Sequence, residues 1–256
     1  MSAKYGLLGE HLSHSYSKEI HEALTDYTYE LIPLTREELT RFMTAKEFAA
    51  VNVTIPYKRE VIPYLDVMDE RAKSIGAVNT IVNRDGTLTG YNTDYDGFLY
   101  TLKKNKIEVT GKKVLVIGNG GAAQAVLAVL RGLFAKEIVI VDITPGEGIC
   151  THEEARRLHT DAALLINTSP VGMYPATDAA PLDLTPFTSL TAVVDIIYNP
   201  NVTKLLAQAK SRGLTAVNGL EMLVAQAFFA AQHFLDKQLD ETKIDEVTKQ
   251  IRETLK

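Results

Sequence analysis

The sequence of 256 residues is poor in cysteine and in long apolar runs. Its one cysteine, Cys150, cannot form an internal disulfide, and a metal site built from several thiolates is excluded. No apolar run is long enough to cross a membrane, and the candidate from Leu223 to Phe229 is interrupted by Gln226. The first residues lack an apolar core followed by a cleavage site, so no signal peptide is expected. Together these absences predict a cytoplasmic protein without a membrane partner.

A strong charge of either sign is also absent. The formal net charge is −5, with 46% hydrophobic and 23% charged residues, which is ordinary for a globular protein. This balance gives no broad attraction to phosphate backbones, so no nucleic-acid partner is predicted. His152 and His159 stand on one short segment without a matching set of ligands, so no metal site is predicted either. We expect a small molecule as the partner.

The sequence does contain a regular alternation of strand and helix patterns. In residues 1–100 short apolar strands alternate with amphipathic helices, and the Asp85-Gly86 pair between apolar residues is typical of a β-hairpin. Two helical segments occupy the C-terminal tail. Such an alternation predicts an α/β protein whose sheets are mainly parallel and covered on both faces.

The clearest single unit covers residues 113–141. An apolar strand, KVLVIG, leads into a glycine-rich turn and a helix, and EIVIVD forms a second apolar strand. This βαβ pattern is typical of a dinucleotide site, because glycines let the backbone approach a pyrophosphate at a helix N-terminus. The structural alternative is a tight strand-to-helix turn that binds no ligand. The predicted cofactor-binding residues here are Gly118, Asn119, Gly120, Gly121 and Ala122.

Asp142 ends the second of these strands. A carboxylate at this place can accept hydrogen bonds from a ribose diol and repel a 2′-phosphate, which favours NAD over NADP. The alternative is that Asp142 only caps the next segment. Between Asp142 and the strand at Leu164 there is room for one short helix, whereas a standard mononucleotide-binding half has a helix, a strand and another helix there. The nucleotide domain is therefore predicted to be shortened on the adenosine side.

The segment VNVTIPYK raises a different question. From Val51 to Ile55, apolar residues alternate with Asn52 and Thr54, as in a strand with one polar face. Pro56 follows at a position that is common at the start of a helix. We therefore predict a strand and then a helix through Arg59 to Tyr64, with polar side chains displayed at the strand end.

Further polar residues of the same character stand at other strand ends and helix starts. Each has a structural alternative: the serines and the aspartate are also typical helix caps, the lysine is of a type that is usually solvated, and the glutamine can be a satisfied core amide. The set consists of Ser15, Ser17, Asn52, Thr54, Lys58, Asn79, Asp94 and Gln226.

Taken in order, these motifs resemble the shikimate dehydrogenase family along nearly the whole chain. The matching stretches are HSYS, NVTIPYK, GAVNTI, NTDYDG, GNGGAAQA, INTSPVGM, DIIYNP and NGLEMLVAQA. The resemblance implies a reversible hydride transfer between a nicotinamide and the carbon that becomes the shikimate alcohol. It implies NADP or NAD as the cofactor, and a monomer or a homodimer.

The resemblance also implies roles for single residues. Lys58 is implied to be the catalytic lysine and Asp94 its partner. Ser15 and Ser17 are implied to hold the substrate carboxylate. The other implied substrate contacts are Asn52, Thr54, Asn79, Tyr198 and Gln226, and the implied cofactor contacts beyond the glycine loop and Asp142 are Ile196 and Gly219.

The sequence departs from the family pattern at two places. Lys18 stands where the family usually has a proline, and Asp142-Ile143-Thr144 stands where members that use NADP usually carry Asn-Arg-Thr. Two alternatives therefore stay open. One is an NAD-preferring dehydrogenase that acts on quinate as well as shikimate, and the other is a shikimate-binding relative with impaired cofactor binding.

The domain organisation follows from the same resemblance. A substrate-binding domain is expected over residues 1–100 together with 219–256, because the C-terminal helices return to it. A Rossmann-like nucleotide-binding domain, shortened after its second strand, is expected over residues 101–218.

Overall fold

The computed structural model describes residues 4–13, 15–144 and 146–255. The chain folds into two compact units. The first contains the residues up to Gly97 together with Val224–Ile251, and the second contains Phe98–Leu223 with the residues from Arg252 onward. The predicted α/β class, with C-terminal helices that return to the first unit, is confirmed.

The elements follow the alternation that the sequence predicts. The strands are β1 (Tyr5–Gly9), β2 (Tyr29–Pro33), β3 (Ala50–Val53), β4 (Val67–Met68), β5 (Thr80–Arg84), β6 (Thr87–Tyr91), β7 (Lys113–Ile117), β8 (Glu137–Val141), β9 (Ile149–Cys150), β10 (Leu164–Asn167), β11 (Ala192–Asp195) and β12 (Thr215–Val217). The helices are α1 (Ser17–Leu24), α2 (Arg36–Ala45), α3 (Glu70–Ile75), α4 (Thr93–Lys104), α5 (Gly121–Gly132), α6 (His152–Leu158), α7 (Lys204–Ser211), α8 (Leu220–Leu235) and α9 (Thr242–Thr254).

The sheet of the first unit has the order β2-β1-β3-β5-β6-β4. Its first three strands are parallel, whereas β5 runs antiparallel to both β3 and β6. Asp85 and Gly86 form the predicted hairpin turn, and both adopt positive φ angles. The register places Asn52 of β3 opposite Thr80 of β5, which brings two of the polar motifs side by side.

The helix predicted after Pro56 is wrong in kind. The segment from Ile55 to Val61 is a series of turns, and only Ile62–Tyr64 forms a short 3₁₀ helix. Pro63 gives the physical reason, because a proline has no N–H and its ring collides with the carbonyl four residues earlier in an α-helix. Buried Tyr57 and Val61 anchor these turns in the core.

The sheet of the second unit is entirely parallel, with the order β12-β11-β10-β7-β8-β9. Its central strands are buried on both faces, as continuous apolar runs predict. The shortened stretch after β8 contains α6, which begins with a capping box between Thr151 and Glu154. It also contains the two-residue strand β9, which is too short for its sequence pattern to reveal.

The second half of α8 packs against the first sheet. Phe234 of this helix stacks near Tyr5, with ring centroids 5.7 Å apart. Arg84 at the end of β5 donates hydrogen bonds from Nη2 to the carbonyls of His233 and Phe234, which lie in the last turn of α8. A cation at a helix C-terminus is favourable because the last carbonyls have no partner within the helix.

Candidate functional site

A buried hydrogen-bond network lies at the end of β3 in the first unit. The side-chain oxygen of Asn52 accepts from the hydroxyl of Tyr29 at 2.8 Å. Its amide nitrogen donates to the carbonyl of Asn79 at 3.1 Å and to Oγ1 of Thr80 at 3.0 Å. All of these residues are buried, so a polar group left without a hydrogen bond here would destabilise the fold. Asn52 is therefore held in one orientation.

Asn79 extends this network to the start of α4. Its Oδ1 accepts from the backbone N–H of Thr93 at 2.7 Å and from the hydroxyl of Thr80 at 2.9 Å. Its Nδ2 donates to Oδ1 of Asp94 at 3.0 Å. Asn79 thus satisfies an N-terminal donor of the helix and fixes the carboxylate of Asp94.

Lys58 meets the other oxygen of this carboxylate. Its Nζ lies 2.7 Å from Oδ2 of Asp94, and the two side chains are 18% and 13% exposed. The loop that carries Lys58 is tied to the segment before β5, because the Lys58 carbonyl accepts from the backbone N–H of Val78 at 2.8 Å. The ion pair is anchored and mostly buried, but part of each side chain is exposed to solvent. Such an arrangement suits a charged group that acts on a small polar ligand.

The two predicted carboxylate-binding serines lie at the start of α1. The Ser15 hydroxyl donates to Oγ of Ser17 at 3.0 Å, and the backbone N–H of Ser17 donates to Oγ of Ser15 at 3.2 Å. Lys18, at the place of the family proline, donates to the carbonyl of Tyr29 at 3.1 Å. It also pairs with Glu22 at 3.2 Å. The departure from the family pattern thus ties α1 to β2.

Two other predicted substrate residues lie after β3 and on α8. Thr54 follows β3, and its backbone N–H donates to the carbonyl of Leu8 at 2.8 Å. Its methyl group fills the space that a side chain at Gly9 would need, because a Cβ there would lie 2.7 Å from it. Gln226 lies half-buried on α8. In the described residues, the Thr54 side chain makes none of the hydrogen bonds that join Asn52 to Asp94.

Residues that were not predicted as part of the site support the network from behind. Thr80 connects its two asparagines, the hydroxyl of Thr93 accepts from Nδ2 of Asn79, and Tyr29 holds Asn52. His21 stacks on the Tyr29 ring with centroids 4.1 Å apart, and burial lowers its pKa to about 3. No sequence signal singles these residues out, since an aromatic or β-branched residue in a strand is ordinary.

The glycine loop of the second unit joins β7 to α5. Gly118 has a φ of +95°, and a Cβ there would lie 2.9 Å from Oγ1 of Thr168. At Gly120 and Gly121 a Cβ would meet nothing within 4 Å, so the bare backbone faces open space. Asn119, between Gly118 and Gly120, is exposed.

The start of α5 has no cap from its own side chains. Gly120 is the N-cap residue and offers no side-chain acceptor, and Ala122 in the first turn is equally apolar. The first backbone N–H groups of this 12-residue helix are therefore left for another acceptor. Open space in front of such donors fits the pyrophosphate of a dinucleotide.

Asp142 follows β8 at the same edge of the sheet. Its backbone N–H donates to the carbonyl of Cys150 at 3.1 Å. Its Oδ1 accepts from the backbone N–H of Thr144 at 2.9 Å, so the carboxylate closes a local turn with one oxygen. Asp142 therefore has the local capping role that the sequence suggested as an alternative. Binding of a ribose would have to use the other carboxylate oxygen.

The remaining predicted residues follow β11 and β12. The backbone N–H of Gly219 donates to the carbonyl of Ile197 at 3.0 Å. A Cβ at Gly219 would lie 1.9 Å from the carbonyl oxygen of Ile196, so only glycine fits this approach. Tyr198 is half-buried in the loop after β11.

Within residues 4–13, 15–144 and 146–255, no three His, Cys, Asp or Glu side chains come close enough together to hold a metal ion. In the same ranges, none of the helices combines the length and apolar composition needed to cross a lipid bilayer.

Comparison with known proteins gives the family. The sequence profile of the shikimate dehydrogenase substrate binding domain matches residues 7–81. A shikimate dehydrogenase (NADP(+)) from Clostridium beijerinckii is 40% identical over 253 residues, covering 92% of this chain and 93% of the relative. The chain belongs to the shikimate dehydrogenase family. The resemblance inferred from the motifs is therefore confirmed.

Solved structures of shikimate dehydrogenases share the fold along the whole chain. A chorismate mutase/shikimate 5-dehydrogenase fusion protein from Clostridium acetobutylicum is 37% identical, with a TM-score of 0.94 over 100% of this chain and 98% of that chain. A shikimate 5-dehydrogenase from Thermus thermophilus, in complex with NADP(H) and shikimate, is 32% identical, with a TM-score of 0.86 over 97% and 99% of the two chains.

Proposed function

We propose that this chain is an active shikimate dehydrogenase that interconverts 3-dehydroshikimate and shikimate with a nicotinamide dinucleotide. The observation that carries the proposal is the ion pair of Lys58 and Asp94, which Asn79 fixes within the unit that contains the matched substrate-binding domain. The identity of 40% to a named shikimate dehydrogenase over 92% of the chain supports the same reaction.

Lys58 is the proposed acid and base. The nicotinamide, when bound, supplies or accepts the hydride. In the reduction, the Lys58 ammonium stabilises the negative charge that builds on the substrate oxygen and gives it a proton. In the oxidation, the neutral amine takes that proton back. Asp94, 2.7 Å from Lys58, keeps the lysine oriented.

Ser15 and Ser17 are the proposed carboxylate ligands. Their hydroxyls lie 3.0 Å apart, and among the described residues no arginine takes part in their hydrogen bonds. Hydroxyl donors bind a carboxylate more weakly than a bidentate arginine does. We therefore expect shikimate to bind with micromolar rather than nanomolar affinity. Asn52, Thr54, Asn79, Tyr198 and Gln226 are the proposed contacts of the rest of the substrate.

The glycine loop, Ile196 and Gly219 are the proposed cofactor contacts. The relative from Clostridium beijerinckii carries NADP(+) in its name, which supports use of NADP. Asp142 opposes a strong preference for NADP, because its carboxylate repels a 2′-phosphate. We expect Asp142→Asn to raise kcat/KM for NADP relative to NAD by about tenfold, since one unfavourable charge is removed. A ratio unchanged from the wild type would show that Asp142 serves the local turn alone.

The other two interpretations of the sequence have less support. The relatives are named as shikimate dehydrogenases (NADP(+)), which does not favour a quinate enzyme that prefers NAD. Open space at Gly120 and Gly121 argues against a chain that has lost its cofactor.

Steady-state oxidation tests the proposal. Shikimate and quinate are each supplied with NADP and with NAD, and formation of the reduced nicotinamide is followed by its absorbance. Turnover of shikimate well above quinate is the expected result. Turnover of neither substrate, while shikimate still binds in a calorimetric titration, would overturn the proposed activity.

A further inference from the structure

Asp195 is a buried acid that the proposed chemistry does not use. It is the last residue of β11, and the register places it directly beside Asn167, the last residue of β10. Its side chain is completely buried, and burial raises its pKa to about 6. A carboxylate is expensive to bury without a partner, so its contacts need an explanation.

The carboxylate is surrounded by neutral hydrogen-bond donors. Its Oδ1 accepts from Nδ2 of Asn167 at 3.0 Å and from the backbone N–H of Ile197 at 3.2 Å. Its Oδ2 accepts from the hydroxyl of Thr203 at 2.7 Å. Among the described residues, none of the ion pairs includes Asp195. The group therefore accepts three bonds and has no countercharge.

These three donors begin or end the loops that follow two adjacent strands. Asn167 in turn accepts at Oδ1 from the backbone N–H and the hydroxyl of Ser169, at 3.0 and 2.7 Å. Thr203 is the N-cap of α7 and accepts from the backbone N–H of Leu206 at 3.3 Å. Asp195 thus sets the paths of residues 167–169 and 195–203 together.

The same loops touch the proposed cofactor residues. Thr168 donates its hydroxyl to the carbonyl of Ile117 at 2.7 Å, directly before the glycine loop. Gly219 rests on the carbonyl of Ile196, the residue after Asp195. Contacts around this one carboxylate therefore connect the carboxyl ends of four neighbouring parallel strands, β7, β10, β11 and β12.

We propose that Asp195 is a positioning residue for cofactor binding, which it serves by holding these two loops in the shape that receives the dinucleotide. This inference rests on the proposed function for the identity of the cofactor. It predicts that loss of the carboxylate weakens cofactor binding and leaves shikimate binding largely unaffected, whereas loss of a merely structural acid would lower the amount of folded enzyme and leave both affinities unchanged.

Asp195→Ala is the first test, with binding of NADPH measured by calorimetry and the KM values of NADP and shikimate measured by steady-state kinetics. We expect the Kd of NADPH and the KM of NADP to rise about tenfold, because three buried donors lose their acceptor. The KM of shikimate is expected to stay within about twofold of the wild type.

Asp195→Asn is the conservative variant. It keeps an acceptor for Asn167 and Ile197 but turns a donor toward Thr203, so most of the NADPH affinity should return. Asp183→Asn is the matched control, because Asp183 is an exposed acid that accepts from the backbone and hydroxyl of Thr185. This control should bind NADPH like the wild type.

The outcomes separate the two proposals. Equal changes in both KM values, or unchanged NADPH binding in Asp195→Ala, would overturn the role of Asp195. If Asp195→Ala does not fold, Thr203→Val takes its place. A rise in the Kd of NADPH of less than tenfold in this variant supports the role of Asp195, and an unchanged Kd overturns it. A wild type that binds NADPH but oxidises no shikimate would overturn the proposed activity and leave the binding test intact.

Discussion

The two units differ in where they place charge at the ends of their strands. In the first unit, uncharged amides and hydroxyls form the buried part, and the ion pair of Lys58 and Asp94 keeps some exposure. In the second unit, the charge of Asp195 is completely buried among neutral donors. The difference fits the two proposals: charge lies within reach of a ligand where a proton is proposed to move, and inside the protein where only loop shape is proposed to be fixed.

The largest effect on activity that tests this comparison is expected from a substitution of Lys58. Lys58→Ala removes the proposed acid, so kcat should fall by about 10²–10⁴-fold. The KM of shikimate should change much less, because the serines and asparagines remain. Steady-state oxidation of shikimate measures both values.

A matched control for this variant lies on the same unit. Lys73 forms an exposed ion pair with Glu70 on α3, and Lys73→Ala should leave kcat and KM unchanged. A Lys58→Ala enzyme that keeps its kcat and loses affinity in proportion would contradict the assignment of Lys58.

Acid should weaken the first unit through His21. Its folded pKa of about 3 lies below the ordinary value of 6.5, so the unfolded chain binds the proton more readily. The stability contributed by the neutral ring is present above pH 6.5 and is lost as the pH falls toward 3. Between about pH 7 and about pH 5 we expect the wild type to lose about 2 kcal/mol relative to His21→Gln.

Urea unfolding of the wild type and His21→Gln at the two pH values measures this difference. A difference in free energy of unfolding that stays constant with pH would show that His21 is accessible to protons in the folded state.

Thr80 should have the next effect. Thr80→Val removes the hydroxyl that joins Asn52 to Asn79, and kcat should fall about tenfold because both amides lose a buried partner. Thr80→Ser keeps the hydroxyl and should restore most of kcat. Steady-state kinetics with shikimate provides the measurement.

Thr248→Val is the matched control for Thr80. Thr248 is a buried threonine of the same unit whose hydroxyl has no hydrogen-bond partner in the described residues. If this variant loses as much kcat as Thr80→Val, the effect reports general packing and the proposed network does not orient Lys58.

The smallest effect should come from Asp195, and its sign is opposite to that of His21. The folded pKa of about 6 lies above the ordinary 3.8, so the folded state binds the proton more readily. Stability from this group is present below pH 3.8 and is lost as the pH rises through 6. From about pH 7 to about pH 5 the wild type should gain about 1 kcal/mol relative to Asp195→Asn. Urea unfolding of the pair checks this, and a loss over the same interval would contradict it.

The sequence predicted the elements with strong local signals. The apolar runs of β7 and β8 and the glycines between them led to the correct βαβ unit. The helix after Pro56 was wrong, because the effect of Pro63 outweighed a favourable start. Strand β9 was missed because two residues carry no period.

Four of the predicted site residues lie together in the structure, and the residues that support them were not predicted. Asn52, Asn79, Asp94 and Lys58 come from three separate motifs, and the structure brings them into one network. Thr80 could not be singled out, because a threonine in a strand is explained by β-propensity alone. Asp195 could not be recognised either, since its importance depends on donors from three separate positions in the fold.

A crystal structure of the wild type with shikimate bound would test the central claim most directly. We predict that the shikimate carboxylate lies against Ser15 and Ser17, with a ring hydroxyl within hydrogen-bond distance of Lys58 Nζ and Asp94. A carboxylate paired with Lys58 instead would contradict the account, because the lysine would then bind the substrate and could not exchange a proton with its hydroxyl.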